Sequence, residues 1–149
     1  MTNFNYAFNI PSKGILLPDE LYFFYYDVMR DTEAGIQAIY EWNDEIKKFL
    51  NEKGIKAENI EKGSLPQSVD KDKIYFSVSE NETMPLAFFR HLRNAFAHHR
   101  IVRCCGYLHI EDVQGKDLTM KGLVKFQDLK ELCFLFFDQR TKFENTHNI

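Results

Sequence analysis

Apolar residues recurring at three- and four-residue intervals constrain this chain more than any other feature. They force most of it into helices that share one core. From Asp19 onward the pattern takes in Leu21, Tyr25, Val28 and Met29, then Ile36, Ile39, Trp42, Ile46, Phe49 and Leu50. This predicts either one long helix to about Lys53 or two helices broken near Asp31 to Gly35, with Pro18 placed to open the first. Leu21 to Tyr26 is apolar almost all round, so it should be covered on two faces, by the core and by a second subunit. A second helix is expected from Thr83 or Met84 to about His99. Pro85 lies in its first turn, and Phe88, Phe89, Leu92, Ala95, Phe96 and His99 make its inward stripe. The last helix carries Leu129, Leu132, Cys133, Phe136 and Phe137 on one side. Arg140 and Lys142 lie near its end, where cations suit the helix dipole.

Between these segments the pattern changes. Residues 1–17 read as an irregular arm with strand-like pieces. From Asn51 to Lys73 the sequence is polar, contains Gly54, Gly63 and Pro66, and reads as a long, mobile loop. Ile74, Phe76 and Val78 alternate with Tyr75, Ser77 and Ser79 as a short strand would. Ile101 to Val113 and Leu118 to Phe126 flank Gln114, Gly115, Lys116 and Asp117, a hairpin signature. The expected fold class is therefore all-α, a single-domain helical bundle with a small β-hairpin inserted before the last helix.

Composition narrows the function. A chain of 149 residues with 14 Phe and 7 Tyr can bury a core without disulfides or a structural metal. It has no apolar run near the ~20 residues a membrane span needs, and no basic-then-apolar leader. A cytosolic protein is expected. Its three cysteines, Cys104, Cys105 and Cys133, suit a reducing compartment. Adjacent Cys104-Cys105 is poor spacing for a tetrahedral metal site, strand alternation gives neither thiol an obvious base, and Cys133 belongs to the core. No cofactor is expected, and there is no Gly-rich phosphate loop.

The net charge is -3, yet no acidic residue occurs between Glu82 and Glu111, where Arg90, Arg93, Arg100 and Arg103 stand with His91, His98, His99 and His109. That stretch is +4 and the remainder of the chain -7. A basic island in an acidic chain points to a local anion site. Within it, Asn94 and His98 are i,i+4 neighbours on one helical stripe, His91 is one turn earlier, and Arg93 lies beside them. A guanidinium, an amide and an imidazole converging near a helix C-terminus can hold a phosphate and move a proton.

The string Leu92-Arg93-Asn94-Ala95-Phe96-Ala97-His98 resembles the signature of the HEPN domain family, an Arg, a polar residue and a His four to six positions on. Arg93, Asn94 and His98 match it, with His99 an alternative histidine. The resemblance implies an all-α bundle that dimerises with two motif helices facing across a cleft. It also implies metal-independent cleavage of RNA, as in many members, often toxins or antiviral effectors. On this reading Arg93, Asn94 and His98 are catalytic, and Arg90, His91, His99 and Arg100 contact substrate. The expected partners are a second copy, RNA or a nucleotide, and an antitoxin protein, with no membrane and no DNA. The alternative implication is a noncatalytic dimer that binds a nucleotide or a protein. One departure is visible: members commonly have His-Gly at the helix end, and here His98-His99-Arg100 stands there. Read from the residues alone, His99 falls on the inward stripe as a core histidine, and His91 on the surface or an interface.

Overall fold

The computed structural model describes residues 14–33 and 39–147. Most of the expected N-terminal arm lies outside the described residues, and of the expected break near Asp31 to Gly35, Asp31 to Glu33 are helical while Gly35 lies outside them. The first helical stretch is α1 (Pro18–Tyr22), a π-helical stretch (Phe23–Val28) and α2 (Met29–Glu33), run together. After it come α3 (Asp44–Lys53), β1 (Lys56–Asn59), β2 (Lys73–Phe76) and α4 (Met84–Ala97). The chain continues through β3 (Ile101–Cys104), β4 (Tyr107–Gln114), β5 (Asp117–Val124) and α5 (Phe126–His147). Among the described residues no helix is long and apolar enough to cross a membrane.

The expected all-α bundle is overturned. The five strands form one mixed sheet in the order β1-β2-β5-β4-β3, with β1 and β2 parallel and the other pairs antiparallel. The fold is α/β. Two local events extend the expected hairpin into a sheet. Cys105 and Gly106 take positive φ values of 56° and 83°, which folds Ile101 to Val113 into two antiparallel strands instead of one. The expected long loop contributes β1, whose sequence Lys-Ala-Glu-Asn carries no hydrophobic alternation and is specified only by pairing with β2. A strand of this kind has no local signature.

The register sorts side chains by face. Phe76, Met120 and Asp112 form one row, Ile74, Gly122 and Ile110 the next, and Leu108 pairs with Val124. Apart from Asp112 and Gly122, these residues join Phe88, Leu92, Ala95, Leu129, Leu132, Cys133 and Phe136 in the core. Aromatic rings tie the layers: Phe76 to Phe88 at 5.8 Å between centroids, Phe89 to Phe136 at 5.5 Å, and Tyr40 to Phe136 at 5.5 Å.

The opposite face carries Tyr107, His109, Glu111, Lys121 and Leu123, and the β1–β2 connection runs against it. Lys62 Nζ donates to Gln114 Oε1 at 3.3 Å, and Lys71 Nζ lies 5.0 Å from the Tyr107 ring centre. Asp72 N donates to the Leu123 carbonyl at 2.7 Å. Leu65 and Val69 are buried on the way, so this connection is anchored at two points while the other residues of 61–70 are exposed.

Two clamps hold α5, one to the first helical stretch and one to the connection before α3. Asp31, buried, accepts from Tyr40 Oη at 2.6 Å and from Arg140 Nη1 at 3.0 Å. Burial and this carboxylate together push the Tyr40 phenol pKa upward. Further along, Glu41 and Gln139 exchange two hydrogen bonds, of 2.8 and 3.0 Å.

Candidate functional site

Helix α4 carries Arg90, His91, Arg93 and Asn94, His98 caps its C-terminus, and His99 and Arg100 follow it. Thr83 caps its N-terminus, the hydroxyl accepting from Leu86 N at 3.3 Å, and Pro85 sits in the first turn where no donor is required. Ala87, Phe88, His91, Leu92 and Ala95 point inward, which leaves Arg93 and Asn94 half-buried at the flank.

The C-terminal end of α4 is built by backbone geometry. His98 N donates to the Asn94 carbonyl at 3.0 Å, and Arg100 N reaches back to the Ala95 carbonyl at 2.8 Å. Between them His99 has φ 58°, the left-handed conformation that closes such a helix end. This is the position where the resembled motif places Gly. The expectation that His99 is a core histidine is therefore corrected: the left-handed turn takes it off the helical stripe and leaves it exposed.

Arg93, Asn94 and His98 occupy the same accessible end. Arg93 Nη1 donates to Asn94 Oδ1 at 3.3 Å, and His98 is exposed one turn beyond Asn94. Arg100, also exposed, follows His99. Beside them lies a groove of about 590 Å³, mostly apolar, lined by Leu21, Tyr25, Met29, Phe96, His99 and Val102 among others.

The other expected contact residues are elsewhere. Arg90 is held by Glu82, with Nε to Oε2 at 2.6 Å and Nη2 to Oε1 at 2.9 Å. This forked pair holds the Glu82 carboxyl below its usual range and raises the Arg90 guanidinium. Arg103 is likewise paired with the buried Glu20, at 2.9 Å. Two of the four arginines of the basic island are thus bound to carboxylates outside it, which concentrates its positive charge at Arg93 and Arg100.

His91 is corrected in the other direction. It is buried, and its Nδ1 lies 2.7 Å from Asp112 Oδ2 while its Nε2 lies 2.7 Å from the Ser77 carbonyl. Each ring nitrogen of His91 thus faces an oxygen at hydrogen-bonding distance. Ser77 Oγ is farther from Nε2, at 3.5 Å, so this buried Ser, His and Asp do not make an activated hydroxyl. They rivet α4 to the sheet. The sequence carried a signal for this: His91 stands three residues after Phe88 and four before Ala95, in phase with the core. Nothing local in the sequence marked Asp112 or Ser77 as its partners.

A second buried polar cluster lies under the β1–β2 connection. Glu111 and Lys121 form a close ion pair, and Glu111 Oε2 is 3.8 Å from His109 Nε2. Burial, and then the Lys121 charge, lower the His109 pKa to about 4, so the ring is neutral at pH 7. No group of three or more His, Cys, Asp or Glu suited to a metal occurs among the described residues.

Compared with protein-family models, curated proteins and solved structures, the chain matches none.

Proposed function

We propose that this protein is a homodimeric, metal-independent endoribonuclease that uses HEPN-type chemistry at the C-terminal end of α4. The observation that carries this reading is the gathering of Arg93, Asn94 and His98 on one accessible helix end, with Arg93 Nη1 3.3 Å from Asn94 Oδ1. The proposal concerns the chemistry of that end and makes no use of an all-helical scaffold.

The substrate supplies its own nucleophile. The ribose 2′-hydroxyl attacks the adjacent phosphorus in line, an O2′–P bond forms, and the P–O5′ bond breaks. A base removes the 2′ proton and an acid returns one to the leaving 5′ oxygen. His98 serves in these roles, and a dimer carries two copies of it, enough for one base and one acid. Arg93 stabilises the charge that builds on the nonbridging oxygens, and Asn94 orients Arg93. DNA, lacking the 2′-hydroxyl, is not cleaved.

The dimer draws support from the first helical stretch. Leu21, Tyr22, Tyr25 and Tyr26 are 44%, 61%, 61% and 46% exposed, an apolar and aromatic face on a helix whose Phe23 and Phe24 are already buried. Leu21 and Tyr25 also line the groove beside His99, so a second copy seated on this face would stand next to the Arg93 and His98 end.

The test is cleavage of single-stranded RNA by purified protein in EDTA, with 2′,3′-cyclic phosphate ends as product. His98→Ala should remove cleavage and leave the fold and the dimer intact. Protein that binds RNA or a nucleotide without cutting it would favour the binding-module reading. Activity lost on chelation and restored by zinc would overturn the mechanism.

A further inference from the structure

Cys104 ends β3 and Cys105 begins the two-residue turn into β4, with Cys104 paired to Tyr107 across the turn. Successive residues of a straight strand project to opposite faces, which would separate two adjacent thiols. Cys105 is not in a straight strand. Its φ of 56°, followed by 83° at Gly106, is the pair of left-handed residues that a tight hairpin turn of this hand requires. The turn brings the two sulfurs to 4.0 Å, with Cys104 half-buried and Cys105 exposed.

We propose that Cys104 and Cys105 form a two-thiolate chelate for a soft, thiophilic divalent cation such as zinc or cadmium. An ion about 2.3 Å from each sulfur, the usual zinc–thiolate distance, would see these two sulfurs at about 120°. That is the trigonal ideal and about 10° wider than the tetrahedral one, so the two sulfurs already stand at a chelating separation. On binding, two S–H bonds break, two sulfur–metal bonds form and two protons pass to solvent, with no change of oxidation state. The resulting complex is neutral. Lys71 and Lys125, both near the Tyr107 ring, therefore do not oppose it. Water or a small thiol completes the coordination, since the described residues offer no third ligand of the His, Cys, Asp or Glu type in a cluster. The site lies at the far end of β3 from Ile101, about 10 Å of strand beyond it. It is independent of the proposed ribonuclease chemistry.

The experiment is a titration of the reduced full-length chain with Cd²⁺, read by the ultraviolet thiolate-to-cadmium charge-transfer band and by proton release in weak buffer. One ion per chain and two protons per ion are expected. Cys104→Ser and Cys105→Ser should each weaken binding tenfold or more while keeping the wild-type circular dichroism and Tm, because the turn is at the surface. Buried Cys133 stays in both variants and serves as the internal control. Cd²⁺ should also protect both cysteines of the wild type from iodoacetamide. A single variant that titrates like the wild type, or alkylation that proceeds unchanged in the presence of Cd²⁺, would overturn the proposal.

Discussion

His91 Nδ1 and Asp112 Oδ2 stand 2.7 Å apart in the interior, and this contact joins α4 to the middle of the sheet. Neither residue is more than 3% exposed. Removing one partner leaves the other buried without its hydrogen-bond partner, at a cost of about 1 to 3 kcal/mol. His91→Ala and Asp112→Ala should each lower the unfolding free energy measured in urea by an amount of that order. Replacing both by apolar residues of similar volume should restore most of the loss. If the double replacement were as unstable as either single one, the pair would not be acting as a unit.

At the other end of α4, His99 holds the left-handed conformation at φ 58°. A side chain with a Cβ carries a strain there of roughly 1 to 2 kcal/mol that Gly does not. His99→Gly should therefore stabilise the fold, by about 1 kcal/mol once the greater freedom of Gly in the unfolded chain is set against it. Thermal unfolding of the two proteins side by side gives the answer. A Tm below that of the wild type would mean that His99 makes contacts worth more than the strain.

The neutral state of His109 sets an acid limit on stability. Its folded pKa of about 4 lies below the value of about 6.5 for an unfolded histidine, so between these the unfolded chain binds a proton that the folded chain does not. Stability should be insensitive to this group above pH 6.5 and fall by about 1.4 kcal/mol per pH unit on acidification toward pH 4. The loss from the Glu82 carboxyl, which Arg90 holds low, falls at lower pH than the onset of the His109 loss. Denaturant unfolding of His109→Leu should show a flatter profile over the range of the His109 loss. An unchanged slope would assign the acid sensitivity elsewhere.

On the proposed chemistry, Arg93→Ala should reduce RNA cleavage by about 10² to 10³, equivalent to roughly 2.7 to 4 kcal/mol of transition-state stabilisation. Arg90→Ala should leave cleavage near the wild-type rate and act on stability instead, because its guanidinium is spent on Glu82. Single-turnover rates on a short RNA separate the two variants. Equal losses from both would mean that Arg90 releases Glu82 and enters the site with substrate.

Local chemistry alone determined the helices and the candidate end of α4. Thr83 and Pro85 mark where α4 starts, the three- and four-residue spacing of Phe88, Leu92 and Ala95 marks its buried face, and i,i+4 spacing places Asn94 beside His98. The same spacing put Cys133 in the core, where it lies. These features rest on residues within a turn or two of one another. The sheet does not. β1 is polar and gains its structure from β2, beyond a connection that includes Leu65 and Val69, so no window of sequence contains the reason for it. The two histidines exchanged places for related causes. His91 went inside because Asp112, 21 residues later, meets it there, and His99 went outside because the helix end needed a left-handed residue. The left-handed Cys105 likewise brought together two thiols that strand alternation would have parted. Periodicity reports which face of an element is apolar, whereas partners distant in sequence and the sign of φ at a single turn are settled only when the whole chain packs.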